Sequence, residues 1–269
     1  MSTASALSRA TGRTPSRDGL RRGVVAVGAV VAVAGSAVGS GAFGGTPIAE
    51  AAGGALSADA TLVAPAGPAF AIWSVVYAGL VALAVWQLLP AHARDERQRA
   101  TGWWVAASLL LNLVWIATVQ AGWVGASVAV IAALLAVLVV AFGRLVATRP
   151  RSRVESVVVD GTVGLYLGWV SIATVANAAA ALEQAGLTTA EPVWAVVVLA
   201  VAAGAGVLTA VRSRGSVAFG AALTWGLAWV CAGRLSGTDS STAAAVAAGA
   251  AAAVVAGTTA AVRLRARRR

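Results

Sequence analysis

The sequence predicts an all-α, polytopic membrane protein: a helical bundle of about eight transmembrane helices. Three observations carry this reading. They are the excess of apolar over charged residues, the recurrence of apolar runs long enough to cross a bilayer, and the way arginine is shared among the segments between them. Of 269 residues, 59% are hydrophobic and 11% charged, with a mean hydropathy of +0.84. A soluble domain carries roughly 25% charged residues. The net charge of +10 comes from twenty arginines with no lysine. In a soluble chain that balance would suggest nucleic acid; here the arginines sit in tails and short loops, so they report topology.

In chain order, residues 1–23 are polar and basic (Arg9, Arg13, Arg17, Arg21, Arg22) and read as a disordered cytoplasmic tail. Residues 24–43 form the first span. Arg21-Arg22 resembles a twin-arginine signal, which keeps a cleaved signal open as an alternative. The run is longer than a usual signal core, however, and Gly35/Gly39 and Gly41/Gly45 recur at the i, i+4 spacing of close helix packing in lipid. A Gly-, Ala- and Pro-rich loop, 44–69, leads to the second span at 70–89. A charged hinge at 92–99 precedes the third span, 102–120, and the turn Ala121-Gly122 opens the fourth, 123–145. A basic loop, 149–155, leads to the fifth span, within the apolar run 157–182, which is long enough to cross a bilayer. An acidic connection at 183–191 follows. The sixth span covers 192–211, a basic turn 212–215, the seventh span 216–233, and the eighth, mostly Ala and Val, 242–262; the basic tail 263–269 follows. The organisation is thus a five-span unit over 24–182 and three additional spans over 192–262, between two basic tails.

Counting arginine by segment sets the orientation. The N-terminal tail, the 2–3, 4–5 and 6–7 connections and the C-terminal tail hold nineteen of the twenty; the alternate connections hold only Arg234, against Glu50, Asp59, Glu183, Glu191 and Asp239. An even number of spans with both termini in the cytoplasm accommodates every one of these charges. Dropping any span would put the Arg-rich C-terminus outside.

Ionisable groups inside spans are costly and mark function when present. Asp160, Arg144 and Arg234 lie near span ends and read as snorkelling or end-capping groups. The single Cys231 excludes an internal disulfide, and the single His92 excludes a histidine cluster. No phosphate-binding loop, metal-ligand spacing or Ser-His-Asp set occurs, so no catalytic residue, metal ligand or required cofactor is expected. What remains is aromatic and amide chemistry. Trp103, Trp104, Trp123 and Trp194 lie at span ends as interfacial anchors, and Trp225 and Trp229 form an i, i+4 packing pair. Trp73, Trp115 and Trp169 each have a polar partner at helical spacing: Tyr77, Asn112, and Tyr166 with Asn177. In LYLGWVSIATVAN, residues 165–177, about 100° per residue puts Tyr166, Trp169, Ala173 and Asn177 within roughly 80° of one helix face. If the three helices face one another, these residues line an apolar pocket with a few polar groups, the usual form of a small-molecule site. The competing reading is plain interhelical packing.

Three stretches carry a family resemblance. LYLGWVSIATVAN resembles the fifth-helix signature of the TspO/MBR family (tryptophan-rich sensory protein, translocator protein or peripheral benzodiazepine receptor). PAGPAFAIWSVVY, residues 65–77, is similar to that family's lead-in to its second helix, and LNLVW, residues 111–115, to its third-helix Leu-Asn-x-x-Trp. In order on successive helices, the motifs cover the five-span unit. The resemblance implies a five-helix bundle that binds tetrapyrroles such as protoporphyrin IX or haem-type ligands, with Trp73, Tyr77, Asn112, Trp115, Tyr166, Trp169, Ala173 and Asn177 around the ligand. It also implies an inner (plasma) membrane protein of a bacterial cell whose partners are the bilayer, a porphyrin-like ligand and a second copy in a homodimer. Sensing or transport is the expected role. A permease that uses spans 6–8, or a light-dependent porphyrin-degrading protein, are the alternatives. After Asn177 the chain reads AAAALEQ, without the Tyr and Arg of the sterol-recognition segment of animal members, so sterol binding is not expected.

Overall fold

The structure, a computed structural model, describes residues 15–39, 46–187, 189, 191–236 and 240–268. Eight helices in it are long and apolar enough to cross a membrane, and no strand occurs among the described residues. They are α1 (Pro15–Gly39), α2 (Ile72–Leu88), α3 (Glu96–Gln120), α4 (Val124–Val146), α5 (Thr162–Gln184), α6 (Glu191–Arg212), α7 (Val217–Ser236) and α8 (Thr242–Arg268). A 3₁₀ turn, Gly67–Ala71, leads into α2; a π-helical segment, Ser156–Gly161, runs into α5.

The first five helices close a ring. Helix α1 packs on α2 and α3, α3 on α4, α4 on α5, and α5 returns to α2. Inside it lie Val76, Leu80, Leu83, Leu109, Ile131, Leu134, Leu138, Tyr166 and Trp169, all fully buried or nearly so. The outer faces expose Val27, Val30, Val75, Leu110, Val139 and Val157, as a lipid-facing surface must. Helices α6–α8 are added on one side: α7 packs on α5, α8 on α7, and α6 on α8.

Because lipid is as apolar as leucine, the association of these helices rests on close packing rather than on removal from water. Glycine supplies the closeness. A Cβ on Gly168 of α5 would lie 2.5 Å from the Phe219 carbonyl oxygen and 2.9 Å from Ala222 of α7, and one on Gly226 would collide with Ile172. At the turn between α6 and α7, Gly215 combines φ +75° with a would-be Cβ 2.6 Å from the Arg263 nitrogen of α8, so no other residue fits there.

Tertiary contacts move several boundaries from where the sequence pattern alone puts them. Helix α1 begins at Pro15, inside the stretch expected to be a disordered tail, while residues 1–14 lie outside the described residues. Arg21 is buried: it donates to Gln87 Oε1 (2.7 Å) and the Gln98 carbonyl (2.8 Å). Arg22 donates to the Gln87 carbonyl, and Asp18 accepts a two-pronged contact from Arg99. Likewise α3 begins at Glu96, six residues before the expected start, because Asp95 caps it by accepting from the Arg97 and Gln98 backbone N–H groups at 2.8 and 3.2 Å. Helix α8 runs on to Arg268 through the segment expected to be a tail.

Burying Arg97 creates an ion cluster that the expectation of solvated span ends missed. Its guanidinium reaches Glu155 (2.5 Å), Asp160 (2.6 Å) and the Thr148 hydroxyl (2.8 Å). Asp160 is therefore neither snorkelling nor a cap. Arg144 stacks 5.2 Å over Trp104, and Arg234 is 1% exposed, held at the opposite end of the molecule.

Two outcomes test this architecture. Arg97→Met leaves Glu155 and Asp160 uncompensated and is expected to cost about 3–5 kcal/mol, read as a lowered unfolding midpoint in detergent. Gly168→Val pushes a branched side chain against backbone, so the cost is expected at or above the roughly 1–3 kcal/mol of ordinary overpacking. Its signature is increased proteolysis between α5 and α7. Parent-like midpoints in either variant would contradict the packing described.

Candidate functional site

All eight residues singled out by spacing come together on the inner side of the ring, in the half away from the arginine-rich end. Trp73 of α2 is the centre of an aromatic cluster. It stacks on Tyr77 one turn on (centroids 5.3 Å apart, 22° between planes), as i, i+4 placement allows. It meets Tyr166 and Trp169 of α5 edge-on at 5.9 and 6.2 Å. Phe70 closes on the other side of Trp169 at 5.6 Å, also edge-on. Edge-to-face contact sets the positive rim of one ring against the negative face of another and adds to the area buried.

The amides join the cluster to α3 and α4. Asn112 donates from Nδ2 to the Tyr77 hydroxyl at 2.9 Å. Trp115 donates from Nε1 to Asn177 Oδ1 at 2.6 Å, and Asn177 Nδ2 donates to the Ser127 hydroxyl of α4 at 2.9 Å. Tyr166, fully buried, directs its hydroxyl at the Ser108 carbonyl, 3.5 Å away. In a membrane interior each polar group must find a partner within the protein, and here most find one another. Among the described residues, Trp169 Nε1, a donor, and Asn112 Oδ1, an acceptor, are buried without a hydrogen-bond partner, as is Thr61 Oγ1 at the roof of the cavity described below.

The space around the cluster is divided unequally. A cavity of only about 40 Å³ lies against Trp115, Trp169, Ala173 and Asn177, roofed by Leu56, Ala60 and Thr61 of the loop between α1 and α2. A groove of about 550 Å³ opens between α1, α2 and α3. Phe70, Trp73, Tyr77 and Trp115 line it, with Ser36 and Ser74 on its flanks and Ile48 and Ala58 of the same loop at its end. The helix α5 wall implied by the resemblance, Trp169, Ala173 and Asn177, therefore faces a cavity with room for a water, whereas α2 and α3 face a space of ligand size. Small-molecule pockets run from about 300 to 1,000 Å³.

Residues that sequence reasoning passed over also belong here. Ser127 is the sole hydroxyl of α4, and a lone polar group in an otherwise apolar span is a signal that could have found it. The roofing loop carries no periodic pattern and could be found only by folding. Trp225 and Trp229 pack edge-on at 5.6 Å as the i, i+4 spacing suggests, and Trp225 Nε1 also donates to the Ala69 carbonyl at 2.9 Å.

A family model described as TSPO-like protein matches residues 25–261. The match runs through α6–α8, so the likeness is not confined to the five-span unit that the motifs cover. No curated protein and no solved structure matches the chain. With a family match over most of its length and eight helices fit to cross a membrane, this multi-pass membrane protein belongs to the TspO/MBR-like (TSPO-like) family.

Proposed function

We propose that the protein binds a flat, largely apolar ligand of the tetrapyrrole class, such as protoporphyrin IX, and holds it for sensing or transport. The observation that carries this is the groove of about 550 Å³ walled by Phe70, Trp73, Tyr77 and Trp115. Its aromatic surface suits a planar ring system, and its walls come from α1, α2 and α3, three helices of the membrane-spanning ring. The unpartnered Trp169 donor and Asn112 acceptor give a ligand with polar edges something to gain on deeper entry. Membership of the TSPO-like family supports the same ligand class.

Holding the ligand is favoured over passing it across. At the other end of the ring, Arg97 is paired with Glu155 and Asp160, and Arg21 is hydrogen-bonded to Gln87. A path through the ring would have to part these buried groups, at a cost that retention does not incur. The same end gathers Arg21, Arg22, Arg99 and Arg151, and the 6–7 turn meets Arg263 there. This clustering supports both termini on the cytoplasmic side; residence in a bacterial inner membrane is part of the same proposal.

The test is a titration with protoporphyrin IX in lipid nanodiscs, following tryptophan fluorescence. Saturable quenching is expected. Ser74→Trp, which fills the groove from an exposed position, is expected to raise Kd about tenfold or more, while Ser74→Ala leaves it unchanged. Absence of saturable quenching, or a parent-like Kd in Ser74→Trp, rejects the site.

A further inference from the structure

The loop that roofs the site is held from outside the ring. Residues 46–66 bound both spaces: Ile48 and Ala58 at the groove, Leu56, Ala60 and Thr61 over the small cavity. The loop is built largely of Ala, Gly and Ser. Its internal bonds are short-range turns, such as Ser57 N–H to the Gly54 carbonyl (2.9 Å) and Ala64 N–H to the Thr61 carbonyl (3.1 Å). Residues 61–65 are buried, whereas 52–60 are half-buried or exposed, so the part of the loop over the site relies on its hydrogen bonds as well as on packing.

At its first end the hold comes from the ring, where Gln120 Nε2 donates to the Thr46 carbonyl at 2.7 Å. Over its second half the partners come from α6 and α7. The buried Arg234 of α7 donates to the Ala58 carbonyl at 2.7 Å and lies 4.0 Å from the Asp59 carboxylate. Glu191, at the start of α6, accepts from the Leu62 N–H at 3.1 Å. The Trp229 carbonyl accepts from the Ala66 N–H at 3.2 Å, and Trp225 donates to the Ala69 carbonyl just beyond. Two of these four hydrogen bonds join an Arg or Glu side chain to a backbone group, a stronger class than neutral pairs.

We infer that Arg234, Glu191 and Trp225 are positioning residues of the ligand site: α6 and α7 latch the 58–69 segment over the aromatic cluster and so set how far the site opens. This rests on the ring being a ligand site. It gives the three added helices a role in ligand access. Opening the 40 Å³ cavity to ligand size requires the roof to lift away from Trp169, Ala173 and Asn177, and lifting it breaks the bonds to Arg234 and Glu191. A ligand that reaches these residues therefore competes with the latch.

The experiment reads the roof without any ligand. In a Cys231→Ala background, Ala60→Cys puts a thiol at the half-buried roof of the small cavity, and its rate of labelling by a water-soluble maleimide reports opening. Arg234→Gln and Glu191→Gln are each expected to raise that rate about tenfold, the equivalent of ~1.4 kcal/mol. Arg234→Lys should recover part of the difference. Labelling of Ala141→Cys, buried in α4 away from the loop, should stay slow in all of them, which separates lifting of the roof from general loosening. Stopped-flow association of protoporphyrin IX should accelerate in parallel with Ala60→Cys labelling. Should Arg234→Gln fail to fold, Glu191→Gln and Trp225→Phe, which keeps the ring but removes the N–H, carry the same expectation. Parent-like labelling in the folded variants overturns the latch. Faster labelling with no porphyrin binding at all upholds the latch and rejects the tetrapyrrole reading instead.

Discussion

The architecture depends on how closely α5 can approach its neighbours on two opposite faces at once. On the inner face it carries Tyr166, Trp169 and Asn177, whose bulk and polarity fill the ring. On the outer face Gly164 and Gly168 remove side chains altogether, and α7 comes down until its backbone touches where a Cβ would be. The two sets are about half a turn apart, as helical periodicity requires. If the outer face were bulkier, α7 would stand off, and the groups it carries to the 1–2 loop would stand off with it. A smaller inner face would leave Trp73 without the ring edges that fix it.

The two ends of the bundle manage charge differently. At the arginine-rich end the buried Arg97 guanidinium is neutralised by Glu155 and Asp160, drawn from another part of the chain, and the exposed Arg99 pairs with Asp18 of α1. Such pairs contribute little net stability, since desolvation offsets their attraction, but they fix register, because a misplaced partner leaves a buried charge alone. At the other end the buried Arg234 spends its charge on a loop carbonyl, with Asp59 at the edge of ion-pair range. That makes one end a register lock between helices and the other a hold on a loop.

Much of this was legible in the sequence, and what was not has a common cause. The number of spans, their polarity and the shared face of Tyr166, Trp169, Ala173 and Asn177 follow from local periodicity, a property of each helix alone. The pairing of Trp115 with Asn177 was not legible as a bond, since spacing places residues on a face without saying which face meets it. The same limit explains the misplaced starts of α1 and α3. A run of charged residues reads as solvated, and Arg21 and Arg97 are buried because acceptors arrive from segments 48 to 77 residues away in sequence. The 1–2 loop is the extreme case: small residues without period carry no fold signal, and its partners come from the ring at one end and from α6 and α7 over its second half.

Most polar groups of the cluster are paired with one another, and that constrains what a ligand of the proposed kind would have to do. Asn177 is bonded to Trp115 and Ser127, and Asn112 to Tyr77. A ligand that broke these bonds would have to replace each one in a medium where an unpaired group costs dearly. A ligand that lies on the aromatic faces and reaches only Trp169 Nε1 and Asn112 Oδ1 replaces nothing and satisfies two groups that otherwise have no partner. On the proposed function, the cluster would therefore favour molecules that are mostly ring surface with few polar atoms at the rim. Indoles, phenols and amides are the groups by which this bundle would make that selection.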